Sequence, residues 1–146
     1  MMIAIASDHG GFAMKAQLME HLTERGIGFD DLGCYSEESV DYPIYAEKAA
    51  RGVAAGKYDR AVLICGTGIG MSMAANKLPG IRAALCSDCY SAEMTRLHND
   101  SNILCLGGRT IGIELAKRIL DIWLDTPFSG MEKHARRIAG IAALEK

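Results

Sequence analysis

The chain has 146 residues, 49% of them hydrophobic, with 16 Lys plus Arg against 18 Asp plus Glu for a formal net charge of −2. That length fits one domain, residues 1–146, which would bury about two-thirds of its unfolded surface without disulfide or metal staples. The near-neutral balance excludes the basic footprint of a nucleic-acid binder and the excess charge of a disordered tail, which leaves a small molecule as the expected partner.

Residues 2–6 are apolar, lack a basic leader and run straight into Ser7-Asp8-His9, so they read as a strand and not as a signal peptide. A helix is expected over 11–25, ended by Arg25-Gly26, followed by a weak strand at 28–32 and a helix over 42–57 closed by Gly56. The apolar run 61–65 predicts a buried strand, and the helix-forming stretch 69–77 after it stops before Pro79-Gly80. Strands at 82–86 and 102–106 bracket a helix at 91–99, and helices at 111–124 and 131–144 are separated by Thr126-Pro127. No run approaches the length of a membrane span. The five cysteines (Cys34, Cys65, Cys86, Cys89, Cys105) are odd in number and irregular in spacing, which points to free thiols in a reducing cytoplasm.

Short apolar runs alternating with longer helical segments define an α/β fold: a three-layer sandwich, helices flanking a five-stranded parallel sheet. The flavodoxin-like strand order 2-1-3-4-5 is expected, and it sets the carboxyl ends of strands 1 and 3 side by side, where open α/β sheets bind ligands. Those ends carry the most unusual loops of the chain, Ser7-Asp8-His9-Gly10-Gly11 and Cys65-Gly66-Thr67-Gly68-Ile69-Gly70.

The second of these loops passes from a strand through three alternating glycines into a helix. Glycines let backbone N–H groups converge on a ligand, and the helix start adds the positive end of its dipole. A thiol placed there shares that field, which favours its anionic form. A dinucleotide site is a competing reading, since Gly66 and Gly68 are correctly spaced and Asp88 follows about twenty residues on, but Met71 stands where the third glycine belongs and the loop follows the third strand. No Gly-Lys-Ser/Thr follows, which excludes a Walker loop. Cys86-Ser-Asp-Cys89 lacks a second pair or a histidine cluster, so no metal site is expected.

His9 and Asp8 end the first strand, with Asp8 or Ser7 a candidate cap, and His98 and Asn99 end a predicted helix. Two histidines and a cysteine at three element ends on one side of the sheet would suit general acid–base chemistry. Lys133 and Arg137, i and i+4 on the last helix, have a spacing suited to gripping a phosphate, with His134 beside them; Arg109, in Gly107-Gly108-Arg109, is a further cation at the ligand edge.

These motifs, with Asp41-Tyr42-Pro43, Asn76-Lys77 and Gly80-Ile81-Arg82-Ala83, occur together in order, and over essentially its whole length the chain resembles the ribose-5-phosphate isomerase type B family, shared with galactose-6-phosphate and allose-6-phosphate isomerases. The resemblance implies a homodimer with active sites at the subunit interface, reached by the partner's terminal basic helix; pairing of dimers into tetramers is left open. It implies an aldose–ketose isomerase acting on D-ribose 5-phosphate and D-ribulose 5-phosphate through a cis-enediolate, with a six-carbon sugar phosphate as the alternative within the family and a non-catalytic nucleotide-binding module as the alternative outside it. By the same resemblance Cys65 is the base, His98 opens the sugar ring assisted by Asp8, and His9, Arg109, Lys133 and Arg137 hold the phosphate. Tyr42 and Asn99 would contact sugar hydroxyls, while the N–H groups of Gly66, Gly68 and Gly70 and the Thr67 hydroxyl would face the enediolate. A second branch of the family uses a glutamate at the position of Met71. No metal or organic cofactor is implied. Lys133 departs from the family's usual arginine and forfeits the bidentate fork.

Overall fold

The computed structural model describes residues 1–145. Five parallel strands form one sheet: β1 (Met2–Ser7), β2 (Gly28–Asp31), β3 (Arg60–Cys65), β4 (Ala83–Leu85) and β5 (Ile103–Gly107). They are connected through the helices α1 (Phe12–Glu24), α2 (Tyr42–Ala54), α3 (Ile69–Ala75) and α4 (Cys89–Asn99), and the chain ends in α5 (Ile113–Asp125) and α6 (Glu132–Ala142). No described helix is long and apolar enough to cross a membrane.

The period-2 alternation of each strand divides the core in two. Ile3, Ile5, Val62, Ile64, Leu104 and Leu106 face α1, α4 and α5, whose inward residues include Leu18, Leu22, Ala92, Ile119, Leu120 and Trp123. The opposite face is built from Ala4, Ala6, Ala61, Leu63, Cys65 and Cys105, and meets Ala46, Ala49 and Ala50 of α2 and Met71 and Ala75 of α3. Small residues on both partners let α2 lie close to the sheet, and this draws Tyr42, the first residue of α2, toward the ends of the central strands.

The three-layer α/β architecture expected from the sequence is present, with one correction in strand order. The sheet runs β2-β1-β3-β5-β4, not 2-1-3-4-5. All five residues of β5 are buried, as a strand with neighbours on both sides and helices on both faces requires. β4 is three residues, Ala-Ala-Leu, none of them buried, which suits an edge. Both runs read as apolar in the sequence, but only β5 has the bulk and length of a central strand.

The correction matters for the site. With β5 beside β3, Cys65 is in register with Gly107, and the loop after β5 starts next to the glycine loop. On the other side of β3, Ser7 is in register with Ile64. Three adjacent strands therefore end level with one another.

Close backbone approach holds the ends together. After β1 a single 3₁₀ turn, His9–Gly11, packs on β3 so tightly that a Cβ on Gly11 would stand 2.5 Å from the Ile64 carbonyl oxygen and 2.7 Å from its carbon. Because those obstacles are backbone atoms, no rotamer change relieves them. Gly11→Ala is expected to destabilise the fold by about 1–3 kcal/mol through overpacking, read as a lower urea midpoint at unchanged m-value; an unshifted midpoint would mean that this loop is not pinned to β3.

Candidate active site

The site grows from three loops at the carboxyl ends of β1, β3 and β5. The Asp8 N–H donates to the Ile64 carbonyl at 3.1 Å, the Gly108 N–H to the Cys65 carbonyl at 2.8 Å and the Arg109 N–H to the Gly66 carbonyl at 2.9 Å. A Cβ on Gly108 would come within 2.6 Å of the Gly10 carbonyl oxygen, so the first and last loops also touch.

Cys65 closes β3 and is 5% exposed, with its Sγ accepting the Gly68 N–H at 3.1 Å. Gly68 can turn its N–H back on the sulfur because it adopts φ +80, a left-handed conformation that glycine takes without strain. A donor aimed at sulfur is stronger toward a thiolate than toward a thiol. Among the other core thiols, burial, then Asp88, pushes Cys86 up to about 11, and burial drives Cys105 further still. Neither is suited to trade a proton near neutral pH.

Around this sulfur the loop is ordered by its own atoms. The Ile69 N–H donates to Thr67 Oγ1 at 3.2 Å, and the Thr67 side chain is exposed at the mouth. A Cβ on Gly70 would lie 2.5 Å from Tyr42 Cζ, so the tyrosine ring occupies the space a side chain there would need. Gly66 lies beneath Arg109, with Cδ and Nη1 of the arginine each 3.6 Å from where a Cβ would be. Met71, on α3, is fully buried in the core.

Asp8 is the cap anticipated in the first loop: its Oδ1 accepts the Gly11 N–H at 3.2 Å and opens the 3₁₀ turn. His9, half-buried, accepts the Val40 N–H on Nδ1 at 3.2 Å, which leaves the ring proton on Nε2. Asp8, His9, Tyr42, Cys65, Gly66, Thr67, Gly68, Gly70 and Arg109 thus share one end of the sheet.

The remaining four candidates do not join them. α4 descends antiparallel to the strands, so His98 and Asn99 reach the amino end of the sheet: Arg82, just before β4, donates from Nε to the Asn99 carbonyl at 2.9 Å, and the Ala61 N–H at the start of β3 bonds the Asn102 carbonyl at 3.0 Å. From Ala61 to Cys65 is four strand steps, about 13 Å. The expectation of two histidines and a cysteine on one side of the sheet is therefore corrected. The sequence shows that an element ends at His98; chain direction decides at which edge.

Lys133 and Arg137 lie with His98 and not with Cys65. The start of α6 is tied to the end of α4 by the Ser129 N–H on the Leu97 carbonyl at 3.2 Å, and the His98 and His134 rings stand 4.3 Å apart. Arg96, 4% exposed, braces the same corner, donating to the Asp100 carboxylate at 2.8 Å and to the carbonyls of Ser101 at 2.6 Å and Thr126 at 3.1 Å. His134 turns inward, bonded through Nδ1 to Ser129 Oγ at 2.7 Å, and so does not share the outward face of Lys133 and Arg137. Desolvation, then the neighbouring His98, Lys133 and Arg137, holds its pKa below the ordinary histidine value. Lys133 and Arg137 project outward without a carboxylate partner among the described residues, whereas Arg136 pairs with Glu132 at 2.7 Å.

Two contributors went unread in the sequence. Leu85, at the end of β4, packs against Gly68, 2.5 Å from where its Cβ would be, and the Val40 backbone orients His9. Neither has a chemical signature, since one is an aliphatic side chain and the other a main-chain N–H. Among the described residues no three His, Cys, Asp or Glu side chains converge in a metal-binding group.

Comparison with known proteins points to one family. The family described as Ribose/Galactose Isomerase matches residues 3–141. Ribose-5-phosphate isomerase B of Escherichia coli is 49% identical over 99% of this chain and 96% of its own length. The structure of Clostridium thermocellum ribose-5-phosphate isomerase B superposes with a TM-score of 0.97 at 49% identity, covering 99% of this chain and 97% of that one. A Mycoplasma genitalium ribose-5-phosphate isomerase B, solved with bound ribulose-5-phosphate, gives 0.92 at 39% identity over 97% and 94% of the two chains. A match that runs nearly end to end in both sequence and structure places this chain in the ribose/galactose isomerase family, and its activity is that of an isomerase.

Proposed function

We propose that the chain, a single domain over residues 1–146, interconverts D-ribose 5-phosphate and D-ribulose 5-phosphate through a cis-enediolate, with Cys65 as the base. The observation that carries this reading is the placement of Cys65 Sγ, which accepts the Gly68 N–H at the mouth of a glycine loop flanked by Asp8, His9 and Arg109. The end-to-end likeness to ribose-5-phosphate isomerases B and the ribulose-5-phosphate bound by one of them support this choice of substrate pair. A non-catalytic nucleotide-binding module is set aside by the same likeness.

In the reaction, a proton must leave the carbon next to a carbonyl and return to its neighbour. The thiolate takes it from one carbon and gives it back to the other, while charge gathers on the enediolate oxygens. Donors already fixed at that position lower the barrier because they need no reorganisation. The Gly68 N–H serves Cys65 in the resting protein, so the N–H groups of Gly66 and Gly70 are the ones we assign to the oxygens. The exposed Thr67 hydroxyl passes a proton between O1 and O2. His9 and Arg109 take the phosphate, and Tyr42 a sugar hydroxyl.

The opening of the sugar ring is assigned to His98 assisted by Asp8, and Asn99, Lys133 and Arg137 complete the grip on the substrate. Because His98, Asn99, Lys133 and Arg137 stand at the other edge of the sheet, they serve a partner's Cys65 and Asp8. An isologous dimer brings each edge to the opposite edge of its partner and completes two sites at once. Two features support this. α6 buries only His134 and leaves Ile141 exposed, which is poor anchorage for a helix on its own chain. Ile69 and Met73 of α3 and Leu85 at the end of β4 are exposed large apolar side chains, Met73 at 65%. The five free cysteines suit the reducing cytoplasm in which we place the enzyme.

Cys65→Ala is expected to lower kcat by about three orders of magnitude while substrate still raises the melting temperature; activity within tenfold of wild type would remove Cys65 from the mechanism. Mixing Cys65→Ala with His98→Asn chains tests the shared site: each variant alone is inactive, and random pairing restores about a quarter of wild-type activity because half of the dimers regain one intact site. No recovery after subunit exchange would place both residues in a site within one chain. Across ribose 5-phosphate, allose 6-phosphate and galactose 6-phosphate, kcat/KM should favour the pentose by about tenfold or more, the discrimination expected from one carbon unit; a six-carbon preference would overturn the substrate assignment.

A further inference from the structure

Lys15 is the most deeply buried charged side chain among the described residues, with none of its surface exposed. It lies on the inward stripe of α1 with Met14, Leu18 and Leu22, where an aliphatic residue would fill the space. An ammonium survives there only with partners. Its Nζ donates to Asp31 Oδ1 at 2.6 Å and to the Cys34 carbonyl at 2.6 Å, and it faces the rings of Tyr35 at 5.3 Å and Phe12 at 5.6 Å.

What the ammonium holds is the segment after β2, residues 32–41, which contains no strand or helix. Its first part is stitched to the end of β1: the Ser7 N–H donates to the Gly33 carbonyl at 2.7 Å and the Cys34 N–H to the Ser7 carbonyl at 2.8 Å. Asp31 Oδ1 also accepts the Gly33 N–H at 2.9 Å, so one carboxylate oxygen couples the ammonium to the turn. Further along, the same segment returns to the site, and the Val40 N–H reaches His9 Nδ1 at 3.2 Å.

We propose that Lys15 is a positioning residue for His9: the buried ammonium clamps the chain at Cys34, and the clamped segment delivers the Val40 N–H that fixes the orientation and tautomer of the imidazole, leaving Nε2–H as the donor toward the phosphate. The proposal rests on the reading of His9 as a phosphate ligand. A lysine suits the task because its tetrahedral ammonium can bridge a carboxylate and a carbonyl from two stretches of chain at once. Methionine matches its length but can do neither. Asp31 keeps 27% of its side chain exposed, so removing the ammonium leaves a carboxylate that water can still reach.

The test compares Lys15→Met, Lys15→Met with Asp31→Asn so that no carboxylate is left unpaired, and Val40→Pro, which deletes the donor itself. Histidine ring nitrogens are followed by NMR in the whole protein, with His9 assigned by its loss in His9→Asn. In wild type the Nδ1 of His9 should be unprotonated and Nε2 protonated, and all three variants should show a mixture of tautomers. KM for ribose 5-phosphate and the inhibition constant of inorganic phosphate should rise about tenfold, as for one misplaced hydrogen bond to a charged group, with kcat within about twofold. Folded Lys15 variants whose His9 signals match wild type would overturn the positioning role, whatever their kinetics. A changed tautomer with KM and phosphate inhibition unmoved would overturn instead the assignment of His9 to the phosphate.

Discussion

Everything at the candidate site depends on how closely three backbones approach one another at the ends of β1, β3 and β5. Gly11 lies against the Ile64 carbonyl, Gly108 against the Gly10 carbonyl, and Gly66 under the side chain of Arg109. The first two contacts are possible because a Cβ is missing, and the Asp8, Gly108 and Arg109 N–H groups tie the two outer loops to the carbonyls of Ile64, Cys65 and Gly66. Cys65 is rigid by consequence: it is the last residue of a central strand, its carbonyl is held by Gly108 and its sulfur by Gly68. In the proposed mechanism such fixity serves a base that must reach two neighbouring carbons, since small misplacements of a reacting group are costly.

The second constraint is direction. In a parallel sheet every strand ends at the same edge and every returning helix ends at the other. A chain of this kind can gather loops at one edge with ease, but it cannot bring the end of a helix such as α4 to them. His98, Asn99 and the start of α6 are consequently grouped with one another, braced by Arg96 and Arg82, and separated from Cys65 by the length of the strands. In the proposed dimer symmetry would resolve what a single chain cannot, because a two-fold axis converts opposite edges into neighbours.

Much of this was legible in the sequence, and the reasons differ by feature. The five strands and six helices follow from hydrophobic period and from Gly and Pro punctuation, and the two unusual loops were marked by composition. The order of β4 and β5 was not legible, since Ala83-Ala84-Leu85 and Ile103-Leu104-Cys105 are both apolar and only packing shows which is covered on both sides. The edge reached by His98 required chain direction together with topology. Lys15 did leave a signal: it falls on the stripe with Leu18 and Leu22, so a helical projection of α1 puts a charge in the core. Val40 left none, because its contribution is a backbone N–H.

On the proposed reading, the division between the two edges also bears on substrate length. The carbons that exchange a proton are held by the glycine loop of one chain, whereas part of the phosphate grip belongs to α6 of another. The span between them is then set by how two copies pack and not by the lining of a single pocket. One more carbon in the sugar must be absorbed along that span, by a side chain that bends or an interface that shifts. Lys133 bears on this directly: a lysine presents a point charge on a flexible stem where an arginine would present a planar fork, so it can follow a displaced phosphate at the expense of bidentate geometry. Selectivity among sugar phosphates would therefore respond to residues along α3 and α6, including Met73 and Ile141, that touch no substrate atom.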